Sequence, residues 1–126
     1  MKYLLDTTFL IDVLRGVPAA LERLDRLHQE GDEPLVTAIT TAELWAGRVA
    51  GTEAAIEGVV RYLEYLHAGP STARRAGEWR ADARQAGKML ATPDALIAAT
   101  AFDVGAAILT RNVRDFALTP VRIETY

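Results

Sequence analysis

The sequence has no cysteine among its 126 residues. That absence removes a disulfide scaffold, thiolate metal ligation and a cysteine nucleophile, and it fits an expected cytoplasmic location. Histidine occurs only twice. His28 falls within a helical stretch ahead of "QEGDE" and His67 near the end of an element, so neither is placed to act as a general base. Aromatic residues make up 7% of the chain and form no interleaved platform on which bases could stack. Lysine is confined to Lys2 and Lys88, and the net charge of −3 sets the whole-chain field mildly against tight nonspecific nucleic-acid binding. No uninterrupted apolar run is long enough to span a bilayer. "KYLL" meets Asp6 after three apolar residues, which leaves no room for a signal-peptide core.

What is present is a chain half of whose residues are apolar, enough for one compact domain over residues 1–126. Alanines dominate between residues 38 and 107 and favour helix. "YLL" (3–5), "LVTA" (35–38), "AAILT" (106–110) and the closing "VRIETY" read as short strands, and "YLHA" (65–68) as either a helix end or a further strand. Helical spacing appears over 19–29, from Thr40 to Val49, and over 53–65, 70–87 and 92–105. Another helix follows Asp6, with Thr7 or Thr8 as its cap and Gly16 as its stop. Short apolar strands alternating with helices predict an α/β fold with a parallel sheet covered on both faces. Ligands of such sheets sit outside the C-terminal strand ends.

Polar residues that follow strands are therefore the candidates. Asp6 follows "YLL", Glu43 lies one helical turn beyond "LVTA", and Asn112 and Asp115 follow "AAILT". Asp94 stands near a helix start, with Thr92 as the expected cap and Pro93 as the first helical residue. Asp6, Glu43 and Asp94 at one sheet edge would repel one another unless a cation intervened, and all-oxygen ligands suit Mg²⁺ or Mn²⁺. Such a site can activate water against a phosphodiester. Each acid also has a plainer role. Glu43 completes a capping box with Thr40, and Asp94 suits the positive end of a helix dipole. Asp12, one turn into the first helix, faces either the site or solvent.

"LLDTTFLIDVLRG", "TAITTAELWAG", "TPDALIAATAF" and "ILTRNVRDF" resemble, in order and at the usual distances, the successive motifs of the PIN-domain family, and more closely its VapC-type toxins. The resemblance runs from about residue 3 to residue 123. It implies a three-layer fold with a central parallel sheet of order 3-2-1-4-5 flanked by helices. It also implies a Mg²⁺- or Mn²⁺-dependent endoribonuclease, a homodimer held in check by a VapB-type antitoxin. Asp6, Glu43 and Asp94 match the three family acids, and Thr8 matches the hydroxyl-bearing position that organises the site. Asn112 stands where a fourth acid is common, with Asp115 matching the acid of the "DF" ending. The resemblance thus predicts a weakened fourth ligand position and a single ion, or a weak second one.

Arg80, Arg84 and Lys88 recur every four residues and form an expected basic stripe on one helix. Arg111 directly follows a strand beside the proposed acids. These four residues are the candidate phosphate contacts. Leu44, Trp45, Tyr62, Leu66 and Trp79 are candidates for a dimer face or antitoxin groove, with core packing the simpler account. Two rivals to the nuclease remain. A receiver-like phosphate domain requires a late lysine, which the chain lacks. A catalytically silent module that binds antitoxin or nucleic acid is disfavoured by the intact Asp6, Glu43 and Asp94.

Overall fold

The computed structural model describes residues 1–126. Five strands, β1 (Lys2–Leu5), β2 (Glu33–Thr37), β3 (Glu64–Leu66), β4 (Ala107–Leu109) and β5 (Ile123–Glu124), form one sheet in the order β3-β2-β1-β4-β5. Every neighbouring pair is parallel. Helices make the crossovers. α1 (Thr7–Leu14) and α2 (Pro18–Gln29) follow β1, and α3 (Ala38–Ala46) and α4 (Glu53–Val60) follow β2. α5 (Pro70–Gln85) and α6 (Thr92–Asp103) follow β3, and α7 (Val113–Phe116) links β4 to β5.

The strand sequences show why both faces are covered. Alternate residues point to opposite sides, and here both sets are apolar. Tyr3, Leu5, Val36, Ala107 and Leu109 pack with Phe9, Leu10, Leu27, Leu44 and Ile56 from α1 to α4. Leu4, Leu35 and Ile108 turn the other way, onto Ile97, Ala98 and Ala101 of α6 and Phe116 of α7. Small side chains (Ala76 and Ala83 on α5, Ala95 and Ala99 on α6) let α5 pack as a further layer over α6. A chain that builds β1, β2 and β3 in one direction and then crosses to β4 reverses at the β1–β4 boundary. That boundary is the topological switch point.

Several sequence expectations shift. "YLHA" contributes a strand, β3, and the helix before it ends at Val60 rather than at 65. α3 starts at Ala38, two residues before the expected Thr40. α5 stops at Gln85, and Gly87, with φ of +74°, turns the chain out of the helix. Lys88 therefore lies outside the helix, and the expected stripe of Arg80, Arg84 and Lys88 is broken. The one-turn helix α7 was not legible in the sequence. Gly16 does stop α1, with φ of +73°. Its N–H donates to the Val13 carbonyl and the Val17 N–H to that of Asp12, the paired bonds of a left-handed helix terminus.

Phe116 is fully buried and fixes α7 to the sheet. Phe116→Ala is expected to cost about 3–5 kcal/mol, read as a lowered urea midpoint.

Candidate active site

Asp6 occupies the switch point. Its backbone N–H donates to the Leu109 carbonyl at 3.1 Å, continuing the β1–β4 register in which Leu5 faces Leu109. The pairing brings Asp6 beside Thr110. Asp6 is the residue preceding α1, but its side chain does not cap that helix. Oδ2 instead accepts from Thr8 Oγ1 at 3.0 Å and from Thr110 Oγ1 at 2.7 Å. Asp6 is only 3% exposed, and a carboxylate so buried requires such donors. A threonine hydroxyl has one proton to give. The two hydroxyl oxygens also lie 3.1 Å from each other, and the N–H groups of Arg111 and Asn112 donate to Thr8 Oγ1 and Thr110 Oγ1, at 3.0 and 2.8 Å. The turn after β4 is thereby tied to α1. Both bonds to Asp6 fall on Oδ2, and Oδ1 takes no hydrogen bond.

Glu43 is released from the role the sequence offered it. Thr37, not Thr40, caps α3, its hydroxyl accepting from the Thr40 N–H at 3.3 Å. The expected Thr40–Glu43 capping box is not formed. Glu43 lies exposed in the second turn, where Oε1 accepts from Thr7 Oγ1 at 2.8 Å. Likewise Ala91, rather than Thr92, precedes α6, which places Pro93 second and Asp94 third in the helix.

Electrostatics joins these acids. The Asp94 carboxyl is pushed up to about 6, first by burial and then by the negative charges of Asp6, Asp115 and Glu43. Asp115 is thus one of the three negative charges that act on Asp94. The Asn112 Nδ2 donates to Asp115 Oδ2 at 3.1 Å, so the amide holds the Asp115 carboxylate in place. No three of the chain's Asp, Glu or His side chains stand close enough together to hold a metal ion. The fit to a cation rests on donor chemistry: the carboxylates of Asp6, Asp115 and Glu43 all act on Asp94, and Asp6 Oδ1 takes no hydrogen bond. Hard oxygen donors with that much negative charge suit a divalent ion.

The basic candidates separate. Arg111 lies at the site, its N–H on Thr8. Arg80 is half-buried and its Nε donates to the Leu90 carbonyl at 2.9 Å, pinning the loop that leads into α6. Arg84 and Lys88 are exposed. None of the ion pairs joins Arg80, Arg84 or Lys88 to the acids. Of the apolar candidates, Leu44 is buried, and Trp45, Leu66 and Trp79 are partly buried against the core; Tyr62 alone is free, at 78% exposure. Beside Glu43 a cavity of about 180 Å³ is lined by Ile11, Leu14, Leu44 and Ile56, with Arg15 and Arg48 among its polar residues. Sequence reasoning missed Thr7 and Thr110. Thr110 had the right signal, a polar residue ending a strand, but was read as part of the strand itself.

Comparison with known proteins gives this arrangement a family. A model of the PIN domain matches residues 3–120. The chain belongs to the PIN-domain family. This PIN domain is 36% identical over 117 residues to Ribonuclease VapC19 of Mycobacterium tuberculosis, covering 93% of this chain and 94% of that protein. It is 33% identical over 121 residues to Ribonuclease VapC2 of Haemophilus influenzae, covering 92% and 90%. Among solved structures, DNA-bound VapBC from Salmonella typhimurium superposes with a TM-score of 0.85 at 27% identity, over 99% of this chain and 98% of that one. VapBC2 from Rickettsia felis, bound to a fragment of promoter DNA, superposes with a TM-score of 0.88 over 100% and 99%. At 22% identity that likeness bears on the fold alone. The sheet order expected from the resemblance is the one observed.

Two measurements test the site. Thr110→Val removes a buried donor from Asp6 and is expected to cost about 1–3 kcal/mol by chemical denaturation. Asp94 holds its proton more tightly folded than unfolded. Its contribution to stability is therefore fully present below about 3.8 and is lost as pH rises through about 6. Without divalent ions, Asp94→Asn is expected to raise the melting temperature at neutral pH, with the gain shrinking as pH falls through that window.

Proposed function

We propose that this PIN-domain protein is a metal-dependent endoribonuclease, the toxin of a toxin–antitoxin pair, acting in the cytoplasm as one domain over residues 1–126. The observation that supports the reading most is Asp94, whose carboxyl is pushed up to about 6 first by burial and then by the negative charges of Asp6, Asp115 and Glu43. Relatives named as ribonucleases, at 36% and 33% identity, support it, as does the likeness to VapBC structures.

Asp6, Glu43 and Asp94 would hold the ion, Mg²⁺ or Mn²⁺, with Asp115 at its border. When bound, such an ion offsets phosphate charge and makes an attacking water a better nucleophile. The chain's own groups prepare that site. Thr8 and Thr110 hold Asp6 still, so a rigid acid stands where the strands end. Thr7 aims the long and exposed Glu43 carboxylate back toward α1. Asn112 turns Asp115. Arg111 offers cationic N–H groups to a non-bridging phosphate oxygen, a contact that fixes the RNA backbone without reading its bases. Arg84 and Lys88 are further contacts along the backbone path, and the committed Nε of Arg80 makes it a weaker one.

An antitoxin segment of VapB type would enter the apolar cavity beside Glu43 and so cover the acids. Tyr62 is the exposed aromatic best suited to a homodimer face.

Purified protein with Mn²⁺ or Mg²⁺ is expected to cut RNA. Asp6→Asn and Asp94→Asn should each lower the rate by more than the roughly 10–100-fold typical of losing an outer metal-site partner. Equal cleavage by the wild type and Asp94→Asn across a metal titration would overturn the reading.

A further inference from the structure

The Arg111 side chain springs from the turn that is bonded through Thr8 to Asp6. Four carboxylates at that edge would attract a nearby guanidinium and hold it, leaving no room for a metal ion. Arg111 goes elsewhere. Its Nε lies 3.3 Å from Asp12 Oδ2, with the arginine side chain 56% exposed and the aspartate side chain 9% exposed. The charges acting on Asp94 are accordingly all negative.

Asp12 is anchored for this task. It lies one turn beyond Thr8 on α1, 6% exposed, and its backbone carbonyl is bound by the Val17 N–H at the helix end. Its Oδ2 also accepts from the Tyr126 hydroxyl at 2.6 Å. The Tyr126 ring stands edge-on to the fully buried Phe9, centroids 4.9 Å apart, and its hydroxyl is 3.4 Å from the Thr8 carbonyl. Burial, and then the bond to Asp12, raise the tyrosine above the usual phenol range, so it remains a donor at neutral pH. An exposed arginine–aspartate pair usually contributes little. A buried carboxylate fixed by a phenol is different, because leaving it without its cation is costly.

We propose that Asp12 and Tyr126 are positioning residues that hold the Arg111 guanidinium beside the carboxylate cluster and off it. The acids then stay open to a divalent cation, and the outer N–H groups of Arg111 stay open to a substrate phosphate. The inference rests on the metal-dependent reading above.

The test is a double-mutant cycle read by calorimetric titration of the full-length protein with Mn²⁺ alone. Tyr126→Phe changes no charge, yet it removes the donor that fixes Asp12 Oδ2 and so loosens the partner that positions Arg111. The Mn²⁺ dissociation constant is expected to rise about five-fold or more, a size typical of coupled neighbours. Adding Arg111→Gln should restore binding in the Tyr126→Phe background by a clearly larger factor than it changes binding in the wild type. Asp12→Asn should behave like Tyr126→Phe, with thermal unfolding showing that each variant is folded. Equal effects of Arg111→Gln in both backgrounds, with normal wild-type binding, would overturn this inference and leave the nuclease reading standing. A wild type that binds no Mn²⁺ would overturn both.

Discussion

Keeping like charges together at the edge of a parallel sheet is the constraint around which the rest of this molecule is organised. Carboxylates avoid one another and avoid burial, yet Asp6 is buried at the centre of the edge, and Asp94 takes up part of the strain as a raised proton affinity. The fold tolerates this because the hydroxyl protons of Thr8 and Thr110 converge on one oxygen of Asp6. Those donors come from different elements, α1 and the end of β4, so tying down the acid also ties the sheet's two halves together. The chemistry of the site and the closure of the switch point are one set of bonds.

The surroundings divide the positive and apolar groups by task. Arg80 closes a loop. Arg23 bonds Glu124 and lies over the Tyr3 ring, 4.9 Å from its centroid, and so braces α2 against β1 and β5. Arg111 stands beside Thr8, which bonds Asp6, and pairs with Asp12. On the opposite rim of Glu43 the surface turns apolar, with Leu14, Leu44 and Ile56 lining a hollow. One long carboxylate therefore borders both a charged centre and a greasy cleft. A partner that fills the cleft can thus affect the chemistry without touching the sheet.

Much of the fold was legible because its strands are buried on both faces and stand out as apolar runs between helical stretches. The strand ends then pointed to Asp6, Glu43 and Asp115, and a helix start to Asp94. Errors cluster where a local rule had a competitor. A capping box at Thr40–Glu43 is good local chemistry, but Thr37 lies three residues earlier, at the end of β2, and takes the cap, freeing Glu43. Repeats of four promised a stripe ending in Lys88, but Gly87 ends the turn first. β3 was ambiguous because three half-exposed residues carry little pattern.

The order of residues alone determined which groups exist to do chemistry: oxygens and guanidinium groups, with no thiol and no placed imidazole. It also determined that they follow strands, since strand and helix periodicity are local properties of the chain. Tertiary structure decided which of them meet. Thr110 reaches Asp6 across 104 positions and Tyr126 reaches Asp12 across 114, distances over which no local pattern carries information. Parallel pairing of β1 with β4 and of β4 with β5 closes those gaps, and the hydrogen bonds formed there choose which acid is rigid and where the Arg111 guanidinium stands.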